Sequence, residues 1–270
     1  MSHMTPAFGL IVIGDEILSG KRQDKHLSRV IELLAARGLA LAWARFVGDD
    51  RPRITAALRE AFASGDIVFS CGGIGATPDD HTRQCAAAAL GVPLELHPLA
   101  RERIVERMRE LAAARGEPFD ADNADNRQRL QMGVFPRGAQ IIENPYNRIP
   151  GFAVGDVHFM PGFPVMAWPM IEGLLDGRYA ALHGSQRQAE RSVIVLGAIE
   201  AALTPLMERI EREHAAVRVF SLPSVDHPQF GRHIELGVKG PTAAVEAAYA
   251  RLHEALVALD AQLGPEMVRT

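Results

Sequence analysis

Long apolar runs are missing from this chain. No stretch approaches the roughly 18 uninterrupted apolar residues that a membrane-spanning helix requires, so no membrane partner is expected. Cysteine is scarce: Cys71 and Cys85 are the only two, too few for a disulfide framework and wrongly spaced for a structural zinc site. A basic excess is also missing. Lys plus Arg is 29 against 33 for Asp plus Glu, a formal charge of −4. Such a balance is poorly suited to phosphate backbones, and no nucleic-acid partner is expected. Neither a nucleotide P-loop nor a Gly-x-Gly-x-x-Gly turn is found, and no fixed-period repeat is visible. Met1-Ser2-His3-Met4 lacks a basic region followed by an apolar core. It reads as a tag scar before a native start at Met4, and the expected compartment is reducing and cytoplasmic.

What is present is ordinary globular composition, 47% hydrophobic and 23% charged over 270 residues, a length that suits two domains. The run from Phe8 to Ile13 stops at Gly14 and reads as a strand buried on both faces. Leu27, Val30, Ile31 and Leu34 recur at helical spacing, with Gly38 as a stop. Leu39 to Val47 reads as a second strand. Asp50 and Pro52 then open a helix striped by Ile54, Leu58 and Phe62. Ile67 to Cys71 is a third strand, followed by a glycine-rich loop and an alanine-rich helix. Alternating strands and helices predict an α/β fold with a parallel sheet covered on both faces. A charged helix follows near Ala100 to Ala114, read as a solvated face, with short strands at Ile141-Ile142 and Val157 to Met160. The expected boundaries are a first domain over 5–176, a polar linker over 177–192 and a small α+β domain of βαββα order over 193–270.

In a parallel sheet the loops after successive strands share the carboxyl edge, where ligands of open α/β sheets bind. Three loops meet that condition: Gly14 to Gly20, Gly48 to Asp50, and Gly72 to Thr82. Glycines 72, 73 and 75 allow close backbone approach, and the helix behind them offers an anion site. Thr77 adds a hydroxyl. Asp15, Glu16, Asp49, Asp50, Asp79 and Asp80 bring carboxylates to the same edge. So many acids repel a phosphate unless a divalent metal intervenes, and Mg²⁺ typically takes one or two carboxylates plus phosphate oxygens and waters. Equally, Asp50 and one of Asp79 and Asp80 read as helix caps. His81 reads as a general base or as a solvated first-turn residue. Cys71 reads as core.

These motifs, with Asn126-Arg127-Gln128, Pro136-Arg137-Gly138-Ala139, Glu143-Asn144-Pro145, Pro150-Gly151-Phe152 and Met160-Pro161-Gly162-Phe163-Pro164, resemble the molybdopterin-binding domain of the MoaB/Mog type. The branch most similar is that of competence/damage-inducible protein A (CinA) and of the N-terminus of eukaryotic FAD synthases. The C-terminal unit is similar to the KH-like domain of that branch, around Ser221-Leu222-Pro223-Ser224, but lacks the Gly-x-x-Gly loop of RNA-binding KH domains. The amidohydrolase domain that ends full-length members is absent from this sequence. The resemblance implies a three-layer α/β/α domain and a small phosphorylated ligand, a nucleotide or molybdopterin. It also implies metal-dependent pyrophosphatase activity on ADP-ribose- or FAD-like dinucleotides, with Mg or Co. A homo-oligomer, dimer or trimer, is expected. Asp49 and Asp80 match the family's two aspartates and are the catalytic candidates. Asp15, Glu16 and Asp80 are the metal candidates. Gly14, Gly72, Gly73, Gly75, Thr77, Arg148, Pro161 and Gly162 are the candidates for binding substrate or phosphate. Two departures stand out. Asn147-Arg148-Ile149 replaces a small Gly-Thr-Ala, so that Arg148 either binds phosphate or blocks the site, and Phe163 replaces a proline. His26 replaces an asparagine. The alternatives to an enzyme are a non-catalytic binding module for molybdopterin or a nucleotide, and an oligomer whose site has decayed.

Overall fold

The computed structural model describes residues 6–121, 123–185 and 188–269. The stretch read as a tag scar lies outside the described residues. The chain divides into two compact units, 1–183 and 184–270.

The first unit contains β1 (Phe8–Ile13), α1 (Asp15–Leu18), α2 (His26–Ala35), β2 (Leu41–Val47), α3 (Arg51–Ser64), β3 (Ile67–Cys71), α4 (Thr82–Leu90) and β4 (Leu94–Leu96). It continues through α5 (Pro98–Arg115), α6 (Ala124–Leu130), β5 (Val134–Pro136), β6 (Gln140–Ile142), β7 (Gly151–Val154), β8 (Val157–Met160) and α7 (Pro164–Asp176). The main sheet has the order β2-β1-β3-β8-β7-β6. The first four of these strands run parallel, and β7 and β6 close the far edge antiparallel. All six residues of β1 are buried, because helices cover both sides. Phe8, Leu10 and Val12 face one core with Leu34 of α2 and Met170 of α7. Ile11 and Ile13 face the other, with Ile54 and Leu58 of α3 and Ala86 of α4. The period-2 pleat feeding two apolar layers produces the three-layer α/β/α arrangement.

Local chemistry sets the element ends. The Asp50 carboxylate accepts from the Arg53 amide at 3.0 Å and caps α3, with proline in the first turn and Gly65 at φ 74° after the last. Loss of one such cap costs about 1 kcal/mol. The Asp50→Ala variant is expected to show that loss as a lower urea midpoint at unchanged slope.

β4, β5 and β7 were not legible in the sequence. Each is only three or four residues long. β5 and β7 are joined by the ring stack Phe135–Phe152–Phe159, with centroids 4.7 and 4.3 Å apart, and β4 is held by its antiparallel pairing with β5; both depend on contacts that exist only after folding. The stretch 177–192, expected to be a linker, is structured at both ends. Tyr179 is buried against Phe8 at 6.3 Å, and β9 (Ala189–Leu196) has already begun. A lone aromatic among polar residues and a half-solvated strand leave no apolar run to read.

The second unit contains β9, α8 (Glu200–Glu213), β10 (Arg218–His227), β11 (Gly231–Gly240), α9 (Thr242–Ala258) and β12 (Leu263–Arg269). Its sheet has the order β10-β11-β9-β12 and is antiparallel throughout. The order is βαββαβ, not the expected βαββα. Gly264 and Pro265 hide β12. Edge strands tolerate proline, and here the register against β9 shifts between Leu263 and Glu266. Among the described residues no helix is long and apolar enough to cross a membrane.

Candidate functional site

A cavity of about 500 Å³ opens at the carboxyl edge of β1, β2, β3 and β8. This is where the topology of an open α/β sheet places ligands, and the volume lies within the usual range for a small molecule. Its walls include Gly14, Glu16, Asp49, Gly72, Gly73, Gly75, Thr77, Asp79, Asp80, Pro161 and Gly162. Asp49 and Asp80 thus meet at one rim.

The glycine loop is shaped by close approach. At Gly72, with φ 111°, a Cβ would fall 2.2 Å from the Ile13 carbonyl oxygen. At Gly75 it would fall 2.5 Å from Asp80 Oδ2. That same oxygen accepts from the Thr77 amide at 2.9 Å and the Thr77 hydroxyl at 2.5 Å. Asp80 therefore braces the loop. Behind it, the buried Arg83 donates to the Gly75 carbonyl at 2.5 Å. Burial pulls the Arg83 guanidinium below the usual arginine range, against the opposing pull of Asp80. The Gln128 amide of α6 donates to the Ala76 carbonyl at 2.8 Å. The amides of Gly73, Ile74, Gly75 and Ala76 donate no hydrogen bond among the described residues. These four adjacent residues all lie on the cavity wall.

The acids are organised across loops. The Asp15 amide donates to Asp49 Oδ2 at 2.9 Å, and the Asp49 amide donates to Asp15 Oδ1 at 3.0 Å. This reciprocal clasp joins the loop after β1 to the loop after β2. Asp15 itself is not part of the cavity wall, whereas Asp49 and Glu16 are. Burial pushes the Asp49 carboxyl above its usual range. The Asp15 amide bond opposes that, and the charges of Asp15, Glu16 and Asp79 add to it.

Other expected residues fall elsewhere. Arg148 does not reach the cavity. It adopts φ 64° and turns to α5, with its guanidinium 2.6 Å from Glu110 and 3.2 Å from Glu106. Those partners lie about forty positions earlier in the chain, so the sequence did not announce them. His81 precedes α4 but is not part of the cavity wall. Burial pushes the Cys71 thiol up, which disfavours a thiolate and fits a core role. Sequence reasoning missed Arg22 and Met166 on the wall and Arg83 beneath it, and it singled out Asn147, Ile149 and Phe163 only as departures from the family pattern. Only the arginine in the first turn after the glycine loop offered a signal.

A parallel sheet whose carboxyl edge carries a small-molecule-sized cavity lined by glycines and carboxylates defines an α/β domain of the ligand-binding kind. The family described as probable molybdopterin binding domain matches residues 9–181, and the chain belongs to that family. A CinA-like protein of Anaeromyxobacter dehalogenans is 32% identical over 253 residues, covering 90% of this chain and 57% of that protein. The chain therefore spans little more than half the length of that curated relative. A protein of Pyrobaculum calidifontis is 30% identical over 259 residues, 92% of this chain and 95% of its own length. The crystal structure of the protein CinA from Thermoplasma acidophilum is similar at 28% identity and a TM-score of 0.52, covering 63% of this chain and 96% of that one.

Proposed function

We propose that the first unit binds a phosphorylated nucleotide or pterin and hydrolyses a phosphoanhydride in it with the help of a divalent cation. The observation that carries this reading is that Gly73–Ala76, whose amides have no partner among the described residues, share one cavity wall with Asp49 and Glu16. The amides take a phosphate, and Thr77 and Asp80 hold the loop that presents them. Asp49, unusually easy to protonate for a carboxylate, is suited to accept a proton from attacking water.

Among the described residues no three His, Cys, Asp or Glu side chains are arranged to cage a metal ion. The donors fit a more open arrangement, in which Asp49 and Glu16 supply carboxylate and the substrate supplies phosphate oxygens. When bound, such a cation would polarise a phosphoryl oxygen and acidify a water. A second reading is a binding module without catalysis, which the same cavity and amides would serve.

Incubation of pure protein with Mg²⁺ or Co²⁺ and ADP-ribose, FAD or NAD separates the two. Release of mononucleotide above a chelator-treated control is expected. Calorimetric binding without release, unchanged by metal, would leave the module reading in its place.

A further inference from the structure

A second compartment of about 300 Å³ adjoins the cavity and shares Glu16, Arg22, Gly162 and Phe163 with it. Four carboxylates line the main cavity, Glu16, Asp49, Asp79 and Asp80, and Arg22 is the one cationic side chain on its described wall. The Arg22 guanidinium makes no ion pair or side-chain hydrogen bond among the described residues. Its neighbours Arg29, Arg37 and Arg45 are all ion-paired. Lys25 faces the second compartment as well. Arg22 is fixed at its backbone, where its amide donates to the Glu16 carbonyl at 2.9 Å.

Phe163, 55% exposed at the start of α7, lines the same two compartments. A large exposed ring on a cavity wall is a stacking surface. The turn that carries it is pinned: the buried His26 donates from Nε2 to the Gly162 carbonyl at 3.0 Å. The Asp24 carboxylate in turn holds the amides of His26 and Leu27 at 2.9 and 3.0 Å. One short loop therefore sets both the cation and the ring against the junction of the two compartments.

We propose that Arg22 and Phe163 form a clamp that selects two-part ligands. The first phosphate rests on the Gly73–Ala76 amides. A second phosphate, linked to it, meets the Arg22 fork, with Lys25 nearby as a point charge. A ring-bearing group beyond that phosphate packs on Phe163 in the second compartment. The clamp rests on the function proposed above and adds what that reading lacks, the reason for preferring a dinucleotide-like ligand over a mononucleotide.

Calorimetry on the full chain with ADP-ribose and AMP tests the clamp without requiring turnover. Wild type is expected to bind ADP-ribose more tightly than AMP. Arg22→Gln and Phe163→Ala are each expected to weaken ADP-ribose about tenfold and AMP by less than about twofold. Both side chains are exposed, so the fold survives either change. Equal wild-type affinity for the two ligands overturns the clamp while the phosphate cradle stands. Variants that weaken both ligands alike overturn it too, since Arg22 then acts only as bulk charge. If neither ligand binds, the proposed function fails and the clamp fails with it.

Discussion

Replacing Asp49 with asparagine is expected to lower turnover of an ADP-ribose-type substrate by about 100-fold or more, with affinity nearly unchanged. Asparagine keeps an oxygen that can accept from the Asp15 amide, so the clasp between the two loops survives. What is lost is the charge that the proposed reaction uses to accept a proton. Asp80→Ala is expected to act differently. Its carboxylate is engaged by the amide and hydroxyl of Thr77, so its loss loosens the loop that presents the amides. The expected result is a rise in KM larger than the fall in kcat. Steady-state kinetics on both variants, with Asp50→Ala as a control that removes only a helix cap, checks the assignment. Retention of turnover within about threefold in Asp49→Asn would remove Asp49 from the chemistry.

The contrast shows what the sequence could and could not carry. Buried strands are readable because burial on both faces enforces unbroken apolar runs, as in Phe8–Ile13 and Ile67–Cys71. Once those strands are parallel, their following loops must share an edge, and the meeting of Asp49 with the glycine loop follows from topology alone. Roles within the edge do not follow. Asp15 and Asp49 are 34 residues apart and exchange backbone contacts, which no spacing encodes. Asp80 braces its own loop although its type suggested a metal ligand. Arg148 was expected at the site, binding phosphate or blocking it, but it pairs with Glu106 and Glu110 on α5 and is not part of the cavity wall. Arg22 went unnoticed for the opposite reason. A lone basic residue in a polar loop has no pattern, and only the structure shows that nothing among the described residues pairs with it. Short strands such as β4, β5 and β7 escape reading because strand pairing and ring stacking between distant segments hold them, rather than local pattern.

Stability is expected to fall as pH drops from about 6.5 towards 4, and His158 is the main reason. Its ring is fully buried. The Tyr179 hydroxyl donates to Asp156 at 2.7 Å, so it accepts from His158 Nε2 at 2.6 Å. The other ring nitrogen, Nδ1, is buried with no partner among the described residues. A second proton there would bury a charge and a donor without an acceptor. Burial first, and then the charge of Arg178, lower the His158 pKa from 6.5 to about 4, against a smaller opposing effect of Asp156. Unfolding frees the ring to titrate normally. Between the two values the unfolded chain therefore binds more protons than the folded one, and stability rises with pH across that window. The full shift corresponds to on the order of 3 kcal/mol, present above the unfolded value and lost by about pH 4. Asp49 pulls the other way. Its raised carboxyl pKa means that folding gains from protonation there as pH falls. A variant that cannot titrate at 158 isolates the term. His158→Gln retains a donor for Tyr179, and its denaturation midpoints are expected to be lower at pH 7 but to change far less between pH 7 and pH 4.5. A wild-type slope equal to that of the variant would assign the acid loss of stability to the carboxylates instead.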